Sequence, residues 1–232
     1  MKMRSWIILV CIFLGMLYSC KYDNYNEPES FLTGNLIYEG EAINLGNGDV
    51  IIELWEDGWQ TKNAIDVSVA QDGSYSANVF NSTYKLVIPS SQNPFQTIVN
   101  EITDSDTIIV EVNGDMHLDI EVLPYYLIQD VDFSVIARDV SVNFSINQIL
   151  IEDSKSIEKV YLYINKGQFV DLQWNIADAS MEAGSIEDLS SVTLTVTVPE
   201  LTPAQDFVFG RIGLKINGVE KMIFSQVQRI SF

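Results

Sequence analysis

The sequence predicts an all-β protein with two tandem β-sandwich domains. Apolar residues recur with a period of two rather than 3.6, which indicates strands instead of amphipathic helices. Val, Ile, Thr, Tyr and Phe, the residue types that favour strands, are abundant. Turn dipeptides such as Asp72-Gly73 and Asn217-Gly218 separate the strand candidates, as expected for a fold of short strands.

The first 19 residues have the features of a secretory signal. Lys2 and Arg4 precede an uncharged run at 6–17, which is shorter than the about 20 apolar residues of a membrane-spanning helix. The run ends in Leu17-Tyr18-Ser19-Cys20, which resembles the bacterial lipobox with Tyr18 in place of the usual small residue. The resemblance implies cleavage before Cys20 and lipidation of its thiol. Residues 20–30 are polar and are predicted to form a tether.

The charge of the chain excludes several partners. Residues 1–19 hold two of the 13 basic residues and none of the 32 acidic ones, so the predicted mature chain carries a net charge of −21. Such a surface repels the phosphates of nucleic acids and anionic lipid headgroups. We therefore expect no nucleic acid partner, and contact with the membrane through the lipid anchor.

The first domain is predicted to span residues 31–122. The strand candidates alternate or are short apolar runs bounded by turns, and they lie at 31–38, 50–55, 65–69, 75–79, 84–88, 107–112 and 117–122. Seven short strands in so short a segment favour a sandwich. Trp55, in the second candidate, is predicted to lie in the core.

Three segments of this domain resemble the carboxypeptidase regulatory-like, or transthyretin-like, β-sandwich: Thr33-Gly34-Asn35-Leu36, Val50-Ile51-Ile52-Glu53-Leu54 and Asp72-Gly73-Ser74-Tyr75. The resemblance implies a non-catalytic module. Gly73 would supply the positive φ that its turn requires.

The second domain is predicted to span residues 127–232, after a seam at 123–126 where Pro124 ends the preceding strand. Its strand candidates lie at 131–135, 140–146, 160–164, 192–198, 207–216 and 222–230, and residues 177–188 are predicted to be a loop. The pattern favours a sandwich of the fibronectin type III or immunoglobulin kind.

The lipobox, the start Cys20-Lys21-Tyr22-Asp23-Asn24-Tyr25 and the two sandwiches together are similar to a family of Bacteroidetes lipoproteins encoded beside SusC/SusD-type glycan uptake proteins. The resemblance implies a lipid-anchored protein of the outer membrane that faces the cell exterior. Possible partners are then SusC/SusD-type proteins and a polysaccharide.

The residues give little support for catalysis. His117 is the single histidine, and the predicted mature chain has no cysteine besides Cys20, so Ser-His-Asp, Cys-His and His- or Cys-rich zinc sites are excluded. Carboxylate pairs such as Asp104 and Asp106 are as frequent as chance predicts in so acidic a chain. We expect no enzyme activity, no cofactor and no metal.

Aromatic residues are the remaining binding candidates, because flat rings stack on the C–H faces of sugars. Trp59 lies in a predicted turn with acidic neighbours, and Trp174 lies in a polar segment, where it is either a surface ring or a core ring. Tyr125 and Tyr126 lie at the seam, where they either line a pocket or join the domains.

The leading hypothesis is a non-catalytic surface lipoprotein that acts as an accessory or glycan-binding component of a SusC/SusD-type polysaccharide uptake system. The alternative is a structural or adhesive module that binds proteins and has no sugar site. A hydrolase is a third, weaker hypothesis.

Overall fold

The computed structural model describes residues 26–58, 62–89 and 93–232. They form nineteen strands and one short 3₁₀-helix, Ala183–Ser185, arranged in two domains, which confirms the all-β tandem prediction. In the described part of the chain, no helix is long and apolar enough to cross a membrane.

The first domain contains eleven strands: β1 (Ser30–Tyr38), β2 (Glu41–Ala42), β3 (Asn44–Leu45), β4 (Ile51–Glu56), β5 (Ile65–Ser68), β6 (Ser74–Val79), β7 (Ser82–Val87), β8 (Phe95–Thr97), β9 (Ile108–Val112), β10 (Met116–His117) and β11 (Ile120–Pro124). One sheet has the order β10-β1-β11-β8, with β2 and β6 also paired to β1. The other has the order β5-β4-β7-β9. Their inward side chains share one core, which includes Leu32, Leu36, Ile52, Leu86 and Val122.

The second domain contains β12 (Tyr126–Ile136), β13 (Asp139–Gln148), β14 (Ile157–Asn165), β15 (Ala177–Glu182), β16 (Val192–Thr197), β17 (Phe207–Ile216), β18 (Ile223–Phe224) and β19 (Gln228–Ser231). A three-stranded sheet, β12-β13-β16, faces a larger sheet that runs β15-β14-β17-β18, with β19 also paired to β17. Alternate residues of β13, β14, β16 and β17 fill the space between the sheets.

A short strand of the first domain completes the larger sheet of the second. β3 pairs with β18, with Leu45 opposite Ile223 and Asn44 opposite Phe224. At the seam, only one residue separates β11 from β12, and Leu127 packs against both cores. The two domains therefore share backbone hydrogen bonding and apolar packing.

Two of the three segments singled out in the first domain, those with Gly34 and with Gly73 and Tyr75, pack against each other. Gly34 lies opposite Tyr75 in the β1–β6 pair, and a side-chain Cβ at Gly34 would lie 1.8 Å from the carbonyl oxygen of Leu118. The Tyr75 hydroxyl donates to that same oxygen at 2.6 Å. Gly73 has a φ of 82°, and a Cβ there would lie 2.3 Å from the Ile43 carbonyl oxygen, so the turn requires glycine.

Replacing Tyr75 by phenylalanine is expected to lower the free energy of unfolding by about 1–2 kcal/mol, because the partly buried Leu118 carbonyl loses its hydroxyl donor. Burial raises the pKa of Tyr75, so this hydroxyl is protonated and able to donate at neutral pH. Tyr38→Phe is the control, since the Tyr38 hydroxyl donates an exposed hydrogen bond to Glu39 rather than a partly buried one. Urea unfolding measures both variants, and equal stabilities would contradict the assigned role.

Several sequence predictions differ from the structure, and one of them is the strand predicted at 222–230, which is divided into β18 and β19. Residues 177–182 are strand β15 rather than loop, because Ala177, Ala179 and Met181 face the core and β14 supplies a pairing partner that Ala, Ser and Glu do not signal. The strand predicted at 117–122 is divided into β10 and β11 around Leu118. Trp55 lies on the partly exposed face of β4 beside Glu53, to which its Nε1 donates, rather than in the core.

Candidate functional site

Trp174 is an exposed ring of the second domain. It lies in the connection between β14 and β15, residues 166–176, and 58% of its surface is accessible. Phe169 and Leu172 of the same connection are also exposed. Of the two interpretations of Trp174, the structure supports the surface ring and not the core ring.

Local hydrogen bonds brace the loop that carries Trp174. The Oδ1 atom of Asp171 accepts bonds from the backbone N–H groups of Gln173 and Trp174, at 2.8 and 2.9 Å. The Asn175 amide donates to the carbonyl oxygens of Asp171 and Leu172, at 3.1 and 3.0 Å. These bonds form because Asp and Asn bond readily to nearby backbone. They fix the backbone of the loop at Trp174.

A buried arginine connects this loop to the first domain. Arg211, in the middle of β17, has no accessible surface. Its Nε donates to the carbonyl oxygen of Val170, and its Nη1 donates at 2.9 Å to that of Leu45 on β3. The guanidinium lies 3.9 Å from the centroid of the Phe224 ring on β18. Arg211 thus joins the Trp174 loop, the bridging strand β3 of the first domain and the larger sheet of the second domain.

The charge and the N–H groups of the Arg211 side chain are only partly satisfied by its neighbours. Burial lowers its pKa to about 10, while Asp171 and Asp49 favour the charged form, so the side chain is protonated at neutral pH. Among the described residues its Nη2, together with Tyr163 Oη and Gln71 Oε1, has no hydrogen-bond partner. Buried polar atoms usually have partners, so the loss of hydration of Arg211 is only partly offset by its hydrogen bonds.

A polar pocket of about 240 Å³, which we call the junction pocket, lies where the Trp174 loop, the segment that follows β3 and the β17–β18 connection meet. Both domains line it, with Asn47 and Asp49 from the first and Asp171, Leu172, Gln173, Glu220, Lys221, Met222 and Phe224 from the second. This volume is below the roughly 300–1,000 Å³ of typical small-molecule sites. The pocket therefore suits one ring or the polar edge of a longer chain.

One ion pair crosses the pocket between the domains. Lys221 Nζ lies 3.6 Å from Asp49 Oδ1 and 3.2 Å from Glu220 Oε1. Burial raises the pKa of Asp49 despite the attraction of Lys221. Burial lowers the pKa of Lys221, but its acidic neighbours Glu220 and Asp49 outweigh this and raise it overall. The pocket thus offers carboxylates, amides and one ammonium group for hydrogen bonding.

Tyr125 and Tyr126 are not surface rings. They are 6% and 5% exposed and pack in the core of the second domain, so neither has a free face for a sugar, contrary to their prediction as binding residues. The Tyr125 N–H donates to the carbonyl oxygen of Pro94 in the first domain, and the Tyr126 hydroxyl donates to that of Lys155. This placement fits the interpretation in which the seam tyrosines join the domains.

Trp59 and Cys20 lie outside the described residues. His117 is exposed and contacts Asp119 at 3.1 Å, away from the junction pocket. Within the described ranges, no group of three or more His, Cys, Asp or Glu side chains is arranged to hold a metal ion.

Comparison with protein families matches both domains. The family model described as "Protein of unknown function (DUF3823) N-terminal domain" matches residues 30–123, and that described as "Domain of unknown function (DUF3823_C)" matches residues 126–229. The chain belongs to the DUF3823 family. No match was found among curated proteins.

Solved structures of DUF3823 proteins share this fold over nearly their whole length. A Parabacteroides merdae member is 29% identical with a TM-score of 0.75, and the match covers 89% of this chain and 100% of the other. A Bacteroides ovatus member is 28% identical, also with a TM-score of 0.75, over 87% and 98% of the two chains. A Bacteroides uniformis protein, provisionally described as a carbohydrate binding protein, is 16% identical with a TM-score of 0.70, over 88% and 100%.

The candidate site of this DUF3823 protein consists of the Trp174 loop and the junction pocket. It combines one residue that was predicted from the sequence to bind a ligand with several that were not. Trp174 was a candidate, but the pocket residues Asn47, Asp49, Asp171 and Lys221 were not. Arg211 had a signal, since it is one of only two charged residues, with Lys215, inside the apolar run 207–216, and charges are rarely buried in such a run unless they are partnered. The polar residues of the pocket resemble ordinary surface residues in the sequence.

Proposed function

We propose that this DUF3823 protein is a non-catalytic lipoprotein, anchored in the outer membrane through Cys20 and facing the cell exterior, that binds a polysaccharide as an accessory component of a SusC/SusD-type uptake system. The observation that carries the glycan-binding part is the braced, exposed Trp174 loop beside a polar pocket.

The pairing of an aromatic surface with polar groups suits carbohydrate. The exposed face of Trp174, with Leu172 and Phe169 nearby in sequence, can cover the C–H face of a sugar ring. Asp49, Asp171 and the other polar groups of the pocket can accept or donate hydrogen bonds to its hydroxyls. A polysaccharide would then lie on the loop and place one residue, or the edge of one, in the pocket.

The charge of the protein narrows the ligand class. The net charge is strongly negative, and three of the pocket residues, Asp49, Asp171 and Glu220, are acidic. Polyanionic glycans would be repelled, and neutral ones would not. The provisional description of the Bacteroides uniformis protein supports carbohydrate as the ligand class to test, although a sequence identity of 16% shows only that the two proteins share a fold.

The anchoring part of the proposal is tested by protease shaving of intact cells that express the wild type or Cys20→Ser. The wild type is expected to be degraded at the cell surface and to carry lipid label. Cys20→Ser is expected to lose the label and its membrane attachment, because it lacks the thiol that would be lipidated. Stable anchoring needs several acyl chains. A wild type that is labelled but protected from protease would contradict the outward orientation.

A further inference from the structure

Two sheet edges lie side by side in the first domain. They form a second surface, which is remote from the Trp174 loop in sequence. β8, at the edge of one sheet, is only three residues long and pairs with Val122–Pro124 of β11, so Ile120 and Glu121 extend beyond it. β9 is the edge strand of the other sheet and pairs only with β7 among the described strands. A groove of about 520 Å³ lies between these edges; we call it the edge groove.

The edge groove is lined by aliphatic side chains, including Ile98, Ile108, Ile109 and Ile120. Ile109, in the middle of β9, is 62% exposed, and Ile98, Val99 and Ile102 of the adjoining loop are also exposed. Soluble proteins usually protect an apolar edge strand with charge, proline or a covering segment, because a free edge pairs with other chains. β9 contains one charge, Glu111, and no proline.

The same groove is acidic. Its lining includes Asp106, Asp119 and Glu121, and no Lys or Arg of the described chain lines it. Each carboxylate is held by the protein: Asp106 accepts from the Thr97 hydroxyl at 3.0 Å, Asp119 from Asn35 N at 2.9 Å, and Glu121 from Glu39 N at 2.8 Å. Neither Asp106 nor Glu121 forms a salt bridge within the described residues.

We infer that the edge groove binds an extended segment of a partner protein in which aliphatic residues alternate with Lys or Arg. The segment would add a strand along β9, with its backbone paired to the free edge. The alternation of a strand would direct one set of side chains inward toward Ile108 and Ile120 and the other set outward, where Asp119 and Glu121 are exposed. A basic segment is favoured over a second copy of this chain, because two strongly acidic copies repel each other.

Selection from a displayed library of random peptides of about ten residues, the length of a natural strand, tests this inference. The immobilised full-length mature protein is the target. Enriched peptides are expected to alternate Ile or Val with Lys or Arg, and their binding is expected to weaken as salt increases. Hydrogen exchange of the β9 amides is expected to slow when such a peptide binds. No enrichment, or enrichment of peptides without this pattern, would overturn the inference.

Variants distinguish the edge groove from the rest of the surface. Ile109→Lys is expected to weaken the binding of the selected peptides by at least about tenfold, since it places a positive charge on the edge strand to which their Lys and Arg residues bind. Asp106→Asn combined with Glu121→Gln keeps the internal acceptor oxygens and is expected to reduce the salt dependence. Ile136→Lys is the matched control, because Ile136 is an 81% exposed isoleucine on β12, an edge strand of the other domain. Equal binding by Ile109→Lys and the wild type would overturn the inference.

Discussion

Arg211→Ala is expected to lower the free energy of unfolding by about 3–5 kcal/mol, the range for removing one partner of a buried charged network. The change deprives the carbonyl oxygens of Leu45 and Val170 of their donors and removes a guanidinium that packs on Phe224. It also leaves a cavity at the point where the two domains meet. At about 2–4 °C per kcal/mol for a chain of this size, the melting temperature should fall by roughly 6–20 °C.

Arg229→Ala is the matched control for this prediction. Arg229 also lies 3.9 Å from the centroid of an aromatic ring, that of Phe207, but it is exposed on β19. Stacking at an exposed site contributes about 0.5–1 kcal/mol, so the control should be close to the wild type. Calorimetry of the two variants shows whether the loss of stability comes from the burial of the arginine or from its stacking on an aromatic ring. Similar losses in both would contradict the role of Arg211 in holding the junction.

Trp174→Ala is expected to weaken glycan binding by about 2 kcal/mol, or roughly thirtyfold, as for an aromatic hot spot, while leaving stability within about 0.5 kcal/mol of the wild type. The ring is mostly exposed, so its removal costs the fold little, but a stacked sugar would lose its platform. Trp174→Phe should retain much of the affinity. Affinity electrophoresis in gels that contain neutral polysaccharides, followed by calorimetric titration, measures these differences.

Phe31→Ala is the matched control for the Trp174 variants, because Phe31 is an exposed aromatic residue of the first domain. Its removal should leave glycan binding unchanged. If Phe31→Ala weakens binding as much as Trp174→Ala, the retention of the wild type reflects general stickiness of exposed rings. If the wild type is retained by no glycan, the polysaccharide part of the proposed function is wrong.

Much of the fold could be predicted from local patterns. The alternation at 192–198 and the apolar run at 207–216 correspond to β16 and β17, and the Asp72-Gly73 turn forms as expected. Gly34 and Tyr75 could be singled out as a motif, but their shared contact with Leu118 could not be predicted, because it depends on a third segment distant in sequence.

The junction could not be predicted because it depends on tertiary contacts between short segments. The bridging strand β3 is two residues long, too short to show any periodicity, and its partner β18 is equally short. The pocket gathers residues from three short segments that lie far apart in the sequence, around positions 47, 172 and 221, and none of these segments carries a recognisable motif on its own. The burial of Tyr125 and Tyr126 likewise follows from their packing in the core of the second domain, which the seam sequence does not specify.

The most direct measurement of glycan binding at the Trp174 loop is fluorine NMR of the full-length mature protein labelled with fluorotryptophan. Trp55, Trp59 and Trp174 give separate signals that single replacements assign. On addition of a retained neutral polysaccharide, the Trp174 signal is predicted to shift, and those of Trp55 and Trp59 are predicted to stay in place. A shift confined to Trp59 or Trp55, with Trp174 unchanged, would contradict the proposed site.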